Sequence, residues 1–191
     1  NIAALEGAGL VVLAVKPQQM GAVARELEPV IGNRRRLLVS VAAGLRCADL
    51  ARAFGPLHAI VRSMPNRPAL IGAGITALYA GPDVDAAERA QAEAILRACG
   101  DTVWLTEERQ MDAVTAVSGS GPAYFFLVIE ALEAAGIAEG LAPEVARRLA
   151  IATAYGAGLL AHQGSGTPAE LRESVTSRGG TTAAALAVLE G

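Results

Sequence analysis

The sequence predicts an α/β fold with a parallel sheet in its first half, followed by an all-α part. Short apolar runs rich in valine alternate with amphipathic helical segments as far as residue 105. Buried parallel strands separated by helices produce this rhythm. After residue 106 no further run of strand type occurs, and every remaining segment has the length and spacing of a helix. We therefore predict a boundary between residues 1–105 and residues 106–191.

The first half contains five predicted strands and three predicted helices. Residues 10–15 (LVVLAV) form an apolar run too short for a helix, which favours a strand covered on both faces. Pro17 stands where the next helix can begin, because proline suits the first helical turn. On the same grounds we predict strands at residues 37–41, 59–62, 75–79 and 103–105, and helices at residues 47–54 and 83–99, the last with Asp83 as its N-cap.

The second half consists of helices that are apolar on nearly every face. The predicted helices are residues 111–117, 123–135, 143–162, 168–175 and 181–189. A helix without a polar face is buried on more than one side, and a part of about 85 residues cannot bury several such helices alone. We therefore expect a second subunit to pack against them; a compact monomeric bundle is the alternative.

Composition and charge exclude several classes of protein. Hydrophobic residues make up 52% of the 191 residues, so the chain has enough apolar surface to fold. A net charge of −3 disfavours a nucleic-acid binder. Two cysteines and two histidines are too few for a disulfide framework or an ordinary zinc site. No window of 18 residues is free of both charges and turn residues, so we expect neither a membrane span nor a membrane partner.

Three predicted strands end in residues that suit a ligand. Lys16 and Pro17 follow the first strand, residues 42–44 follow the second, and residues 64–66 follow the third. In an open α/β sheet, ligands bind beyond the carboxyl ends of the strands. We therefore expect these segments to line one crevice. The alternative is that Pro17 only starts a helix and that Lys16 is a solvated charge.

Two glycine-rich segments interrupt the predicted helices. Residues 118–122 (SGSGP) contain two serines, which can cap the following helix or let a ligand approach the backbone. Residues 176–182 (TSRGGTT) place two glycines before a helix, so that successive backbone N–H groups can bind a carboxylate or a phosphate. An ordinary turn is the alternative for the second segment. No catalytic base accompanies the serines, which disfavours a serine hydrolase.

Five segments resemble the pyrroline-5-carboxylate reductase family and occur in the family's order. They are VVLAVKPQ, VAAGL, VRSMPNRPALIGAGITALYA, MDAVTAVSGSGPAYFF and LRESVTSRGGTTAAALAVLE. The resemblance spans nearly the whole chain. It implies a Rossmann-like dinucleotide-binding domain, here residues 1–105 with the first strands missing. It also implies a helical dimerisation and substrate-binding domain, here residues 106–191.

The resemblance further implies an activity. Members of the family reduce 1-pyrroline-5-carboxylate to L-proline, the last step of proline biosynthesis, with NADPH preferred and NADH as the alternative. We therefore expect a cytoplasmic oxidoreductase without a metal, which forms a homodimer through its helical domain and can assemble into a decamer. A β-hydroxyacid or ketopantoate dehydrogenase would need a lysine in the helical half, and residues 106–191 contain none. An assembly or nucleotide-sensing module without turnover is the alternative from another class.

Site residues carry over from the resemblance position by position. Residues expected to bind the cofactor are Asn1, Ala14, Val15, Lys16, Pro17, Val41, Ala42 and Ala43. Residues expected to bind the substrate are Ser118, Ser120, Ser177, Gly179, Gly180, Thr181 and Thr182. Thr182 is also the candidate catalytic residue, because its hydroxyl is expected to form a hydrogen bond with the imine nitrogen of the substrate.

Overall fold

The computed structural model describes residues 1–190, which form two compact units. The first unit is Asn1–Tyr124, and the second begins at Phe125. All five strands lie in the first unit, and the last of them ends at Trp104. The predicted boundary near residue 106 lies where the strands end and the helices begin. The boundary between the two compact units, after Tyr124, lies instead within the helix Gly121–Ala138. The division into domains at residue 105 therefore stays a prediction.

The first unit is a five-stranded sheet with helices on both faces. Its strands are β1 (Leu10–Leu13), β2 (Leu37–Ser40), β3 (Ala59–Met64), β4 (Gly74–Ala80) and β5 (Gly100–Trp104). Its helices are α1 (Ile2–Leu5), α2 (Met20–Ile31), α3 (Cys47–Phe54), α4 (Ala86–Arg97) and α5 (Gln110–Val114), with 3₁₀ turns at Pro17–Gln19 and Arg67–Ile71.

The sheet is mainly parallel, with the strands in the order β1-β2-β3-β4-β5. Strands β1, β2 and β3 are parallel neighbours, and β4 and β5 are parallel to each other. Strand β4 runs antiparallel to β3, which the sequence pattern did not predict. A parallel crossover needs a dozen or more residues. Residues 65–73 are too few, so the chain turns back on itself between β3 and β4.

Side-chain alternation along the strands builds a core on each face of the sheet. Leu38 of β2 packs with residues of α2 and α3, whereas its neighbours Leu37 and Val39 pack on the opposite face with residues of α4. Successive side chains of a strand point to opposite faces. Because helices cover both faces, β2 is apolar at consecutive positions, which is why a short continuous run predicted it correctly.

The N-cap of helix α4 lies two residues later than predicted. Asp85 is the N-cap, and its carboxylate accepts a hydrogen bond from the backbone N–H of Glu88 at 2.8 Å. The Glu88 carboxylate accepts one in return from the backbone N–H of Asp85 at 3.0 Å. The prediction of Asp83 was wrong because only Asp85 has a glutamate three residues later, as a reciprocal capping box requires.

Residues 118–122 do not break the helix as predicted. The chain is helical from Gln110 to Ala138, and a π-helical turn, Thr115–Gly119, separates α5 from α6 (Gly121–Ala138). In this turn the Ser120 N–H donates to the carbonyl of Thr115 at 2.9 Å, one residue further back than in an α-helix. The serines therefore do not cap a new helix.

The second unit consists of the larger part of α6 with α7 (Pro143–Gln163), α8 (Pro168–Ser174) and α9 (Thr181–Leu189). It exposes large apolar side chains: Phe125 is 69%, Leu160 65% and Tyr155 71% exposed. The helix from Gln110 to Ala138 is long and apolar enough to cross a membrane by length and composition, with a mean hydropathy of 1.4 over an 18-residue window within it. Length and composition alone do not distinguish such a helix from one that packs against a partner.

Candidate functional site

The carboxyl ends of β1, β2 and β3 lie at the same edge of the sheet. Leu13 pairs with Ser40, and Ser40 pairs with Arg62, in a parallel register. The three segments that follow these strands, residues 14–17, 41–44 and 65–66, therefore leave the sheet side by side. The predicted juxtaposition of three strand ends is present in the structure, and we call this region the strand-end edge.

Small residues and an open turn characterise the middle of the strand-end edge. Val41 continues the sheet by donating its N–H to the carbonyl of Leu13 at 3.3 Å, and Ala42 is buried. Gly44 has φ +78°, and a Cβ atom at this position would meet nothing within 4 Å. Glycine adopts this left-handed conformation at little cost. The backbone here is open to a flat ligand such as a nucleotide, so the segment fits the expected cofactor.

The remaining predicted cofactor residues stand on or near β1. Lys16 and Ala14 are exposed, whereas Val15 and Pro17 are half-buried. No ion pair of the Lys16 ammonium occurs within residues 1–190. Asn1 is exposed, and its side-chain amide donates to Glu26 at 2.8 Å. The contact of Asn1 with a cofactor stays a prediction, as do the other cofactor contacts.

The π-helical turn lies against the end of β3. A Cβ atom at Gly119 would stand 2.9 Å from Cε of Met64, so glycine allows the turn to approach the Met64 side chain closely. The neighbouring Ser118 hydroxyl is buried and has no hydrogen-bond partner within the described residues. Such π turns occur frequently at functional sites. The structure therefore brings Ser118 and Ser120, predicted to bind the substrate, to the region where β3 ends.

A charged cluster that the sequence pattern did not reveal lies beside the strand-end edge. Arg62 of β3 is only 7% exposed, and its Nη1 donates to Oε1 of Glu108 at 2.9 Å. The same carboxylate oxygen accepts the backbone N–H of Cys47 at 2.6 Å. We call these three residues the Glu108 cluster. An arginine inside an otherwise apolar strand was the signal that could have indicated it.

Within the Glu108 cluster, the Glu108 carboxylate is ionised and the Cys47 thiol is neutral at neutral pH. Burial acts to raise the pKa of Glu108, but the hydrogen bonds from the Cys47 amide and from Arg62 outweigh it, and the pKa is lowered. Burial, together with the neighbouring Glu108 carboxylate, raises the pKa of the Cys47 thiol to about 12. The pair of Arg62 and Glu108 is thus a permanent ion pair at neutral pH, and the Cys47 thiol is unreactive.

The second unit contains the predicted glycine turn before α9. Gly179 has φ +70°, and the Gly180 N–H donates to the carbonyl of Ser177 at 3.0 Å. A Cβ atom at Gly180 would lie 3.3 Å from that carbonyl oxygen. The structure therefore explains both glycines. Gly179 adopts a left-handed backbone conformation, and Gly180 approaches the carbonyl of Ser177 closely.

The first N–H groups of α9 are available to a ligand. The helix begins at Thr181, and no side chain caps it. The first N–H groups of a helix have no partner inside the helix, and its dipole favours an anion there. Thr181 and Thr182 are exposed, and their hydroxyls form no hydrogen bond within residues 1–190. This arrangement can bind a carboxylate by backbone N–H groups beside two free hydroxyls.

The described residues contain no group of three or more His, Cys, Asp or Glu side chains that could hold a metal ion.

Comparison with known proteins gives a consistent result. Residues 108–191 match the family described as pyrroline-5-carboxylate reductase dimerisation. The chain is 50% identical to the pyrroline-5-carboxylate reductase of Pseudomonas aeruginosa over 186 residues, which cover 97% of the chain and 68% of that protein. Over the first three curated relatives the chain covers between 66% and 70% of their length, that is, about two thirds.

Solved structures agree with the sequence comparisons. A pyrroline-5-carboxylate reductase from Coxiella burnetii is 42% identical, with a TM-score of 0.89 over 96% of this chain and 68% of that one. The Plasmodium falciparum pyrroline carboxylate reductase, solved with NADP bound, is 33% identical, with a TM-score of 0.85 over 95% of this chain and 68% of that one. The fold and the order of elements are therefore shared over nearly all of the present chain.

Proposed function

Because the chain belongs to the pyrroline-5-carboxylate reductase family, we propose that the whole protein reduces 1-pyrroline-5-carboxylate to L-proline. The cofactor is a reduced nicotinamide dinucleotide, NADPH in preference to NADH. The observation that carries the proposal is the strand-end edge, where three parallel strands, an open glycine turn and a π turn with a free hydroxyl lie together. Ligands of open α/β sheets bind at such an edge.

We assign the cofactor to the strand-end edge. Residues that would hold it are Asn1, Ala14, Val15, Lys16, Pro17, Val41, Ala42 and Ala43. When bound, the reduced nicotinamide supplies the hydride that is added to the imine carbon. The small side chains at positions 42 and 43 leave the backbone accessible to a flat ring. The Plasmodium falciparum relative, solved with NADP bound, supports a nicotinamide dinucleotide as the cofactor.

We assign the substrate carboxylate to the turn before α9. The N–H groups of Gly179 and Thr181 would donate to its oxygens, with Ser177 adding a hydroxyl beside the turn. Gly180, whose N–H donates to the carbonyl of Ser177, would contribute its open backbone to the same turn. A carboxylate is favoured at a helix N-terminus because of the helix dipole. We also place Ser118 and Ser120 in contact with the substrate, a role that the free Ser118 hydroxyl supports.

Thr182 is the catalytic residue in this proposal. The substrate nitrogen takes up a proton before reduction, which makes the imine carbon electrophilic. The Thr182 hydroxyl oxygen would accept the N–H of this cation and thereby hold the ring at a fixed angle. After hydride addition the nitrogen is the secondary amine of proline, so that one proton and one hydride are consumed for each imine reduced.

We further propose that the protein is a cytoplasmic homodimer formed through its helical unit. The match of residues 108–191 to a dimerisation family and the exposed apolar side chains of α6 and α7 support the dimer. Assembly into a decamer stays a prediction.

The direct test is turnover by the whole protein with several substrates. We expect NADPH oxidation that depends on 1-pyrroline-5-carboxylate, a lower kcat/KM with NADH, and no oxidation with ketopantoate or a β-keto acid. Turnover with ketopantoate in place of the imine would assign the chain to another dehydrogenase class. Binding of NADPH without turnover of any imine would indicate a sensing module instead.

A further inference from the structure

Two separate interactions fix Glu108 at the beginning of the long helix. Its carboxylate accepts the first N–H of α3, from Cys47, at 2.6 Å and pairs with the buried Arg62 of β3 at 2.9 Å. A carboxylate at a helix N-terminus is stabilised by the unpaired N–H groups and the dipole. A buried arginine without a counter-charge is strongly unfavourable. Both interactions therefore hold Glu108 to the elements that build the strand-end edge.

The segment that follows Glu108 is held at a second point. Met111 is buried, and at the other end of the segment Gly119 lies close to the side chain of Met64. The chain between these points is continuous helix, first α5 and then the π turn. A helical segment transmits a displacement at one end to the other, because its backbone hydrogen bonds keep its length fixed. The position of Ser118 thus depends on the position of Glu108.

The Glu108 cluster also adjoins the segment assigned to the cofactor. A cavity of about 320 Å³ is lined by Gly44, Arg62 and Glu108, among others. Gly44 directly follows residues 41–43, and Cys47 begins the helix after it. One carboxylate therefore bridges the turn after β2 and the helical segment that carries Ser118 and Ser120.

We propose that Glu108 is a positioning residue for the reaction. It sets residues 108–120, which are helical from Gln110, against residues 41–44, so that the nicotinamide ring and the substrate meet at the correct angle. Glu108 does not contact the reacting atoms in this account. The inference rests on the proposed function, and it adds to that function a residue outside every segment assigned to a ligand. The competing explanation is that Glu108 only neutralises Arg62.

The first test compares Glu108→Ala with the matched control Glu107→Ala in the whole enzyme. Alanine removes the oxygen that accepts the N–H groups of Cys47 and Arg62, whereas glutamine would keep an acceptor there. Glu107 is the neighbouring carboxylate, is half-exposed and pairs with Arg109. We expect Glu108→Ala to lower kcat about 10- to 100-fold, because misplacement by about 1 Å costs that much, with wild-type behaviour for the control. We also expect the deuterium isotope effect from 4-deuterated NADPH to increase in Glu108→Ala, since hydride transfer becomes the slow step.

A double variant separates positioning from charge neutralisation. Arg62→Met combined with Glu108→Leu removes both charges, and apolar replacement of a buried pair commonly preserves stability. We expect this variant to fold and to keep a low kcat with a raised isotope effect, because the bond to the Cys47 amide is still lost. Recovery of wild-type kcat would overturn the proposal and leave only the neutralisation of Arg62.

A third measurement needs no bound cofactor and no turnover. The backbone N–H of Cys47 donates to Glu108 at 2.6 Å, and hydrogen–deuterium exchange measures the protection of the amides at the beginning of α3. We expect these amides to exchange faster in Glu108→Ala than in the parent and in Glu107→Ala. Unchanged exchange would contradict the attachment of α3 to Glu108.

Failure of the proposed function and failure of the positioning role can be distinguished. If the parent enzyme does not reduce the imine at all, the proposed function fails while the exchange result still tests the attachment. If the parent is active and Glu108→Ala matches it in kcat and isotope effect, only the positioning role is overturned.

Discussion

At the scale of single residues, the hydroxyl of Thr182 is the group on which the proposed chemistry depends most. Thr182 is the second residue of α9 and is exposed. We expect Thr182→Val to lower kcat/KM while leaving NADPH affinity nearly unchanged. A hydrogen bond to a charged group contributes roughly 1.5–3 kcal/mol, which corresponds to about 10- to 150-fold in kcat/KM if the bond tightens in the transition state.

Thr181→Val is the matched control for this prediction. At position 181 the backbone N–H, which valine keeps, is expected to matter more than the hydroxyl. We therefore expect a much smaller loss from Thr181→Val in steady-state kinetics. Wild-type kcat/KM for a folded, dimeric Thr182→Val protein would remove this hydroxyl from the mechanism.

A second residue-scale prediction concerns pH and His58. The His58 side chain is 3% exposed and its ring nitrogens have no hydrogen-bond partner within the described residues. Burial, followed by the charge of Arg36, lowers its pKa below the ordinary value of 6.5. As the pH falls below 6.5, the unfolded chain takes up this proton before the folded chain does, so stability decreases.

Thermal unfolding between about pH 7.5 and about pH 5.5 measures this loss. We expect His58→Leu to remove part of the decrease, because leucine takes up no proton. Carboxylates with lowered pKa values, such as Glu108, lose their contribution to the free energy of unfolding only at still lower pH. An identical pH dependence in wild type and His58→Leu would show that His58 does not cause it.

At the scale of elements, apolar runs predicted the positions of the strands well. The direction of a strand and the ends of a helix depend on connection lengths and capping residues instead. The run of residues 37–41 matched β2 nearly to the residue, because both faces of that strand are buried. The direction of β4 depends on the length of the connection from β3, which the rhythm of strands and helices does not show. The π turn was not predictable from SGSGP, because this turn packs through Gly119 against Met64 of a distant strand.

The cap of α4 gives a prediction at this scale. We expect Asp85→Ala to lower the free energy of unfolding by about 1 kcal/mol, the usual loss when an N-cap is removed. Asp83→Ala is the matched control, since its side chain forms no hydrogen bond within the described residues, and we expect almost no change. Urea unfolding of both variants measures the difference. Equal losses would contradict the assignment of Asp85 as the cap.

At the scale of the whole molecule, the exposed apolar helices of the second unit are the main feature that the single chain does not explain. The amino-acid composition of these helices is enough to predict a partner, because they lack a polar face. The site was only partly predictable. Glycine and strand-end patterns indicated the segments expected to bind ligands. The place of Glu108 in the site depends instead on its contacts with Arg62 and Cys47, which are 46 and 61 positions away in the chain. Such distant pairing leaves no local pattern.

The oligomeric state follows from these helices. We expect the whole protein to sediment as a dimer or larger at micromolar concentration, with an interface above about 2,000 Å², the range of obligate dimers. Leu160→Glu places a charge on an exposed apolar face of α7 and should weaken association, whereas Ile95→Glu on α4 should not. A stable folded wild-type monomer would contradict the expectation.

The central claim is that this chain belongs to an enzyme that transfers hydride from a reduced nicotinamide to a cyclic imine. The most direct measurement is mass spectrometry of the product formed from 1-pyrroline-5-carboxylate and NADPH deuterated at the transferred position. We expect L-proline that carries one deuterium on the former imine carbon, in amounts equal to the NADP⁺ produced. Proline without deuterium, or NADPH oxidation without proline, would contradict the proposed reaction.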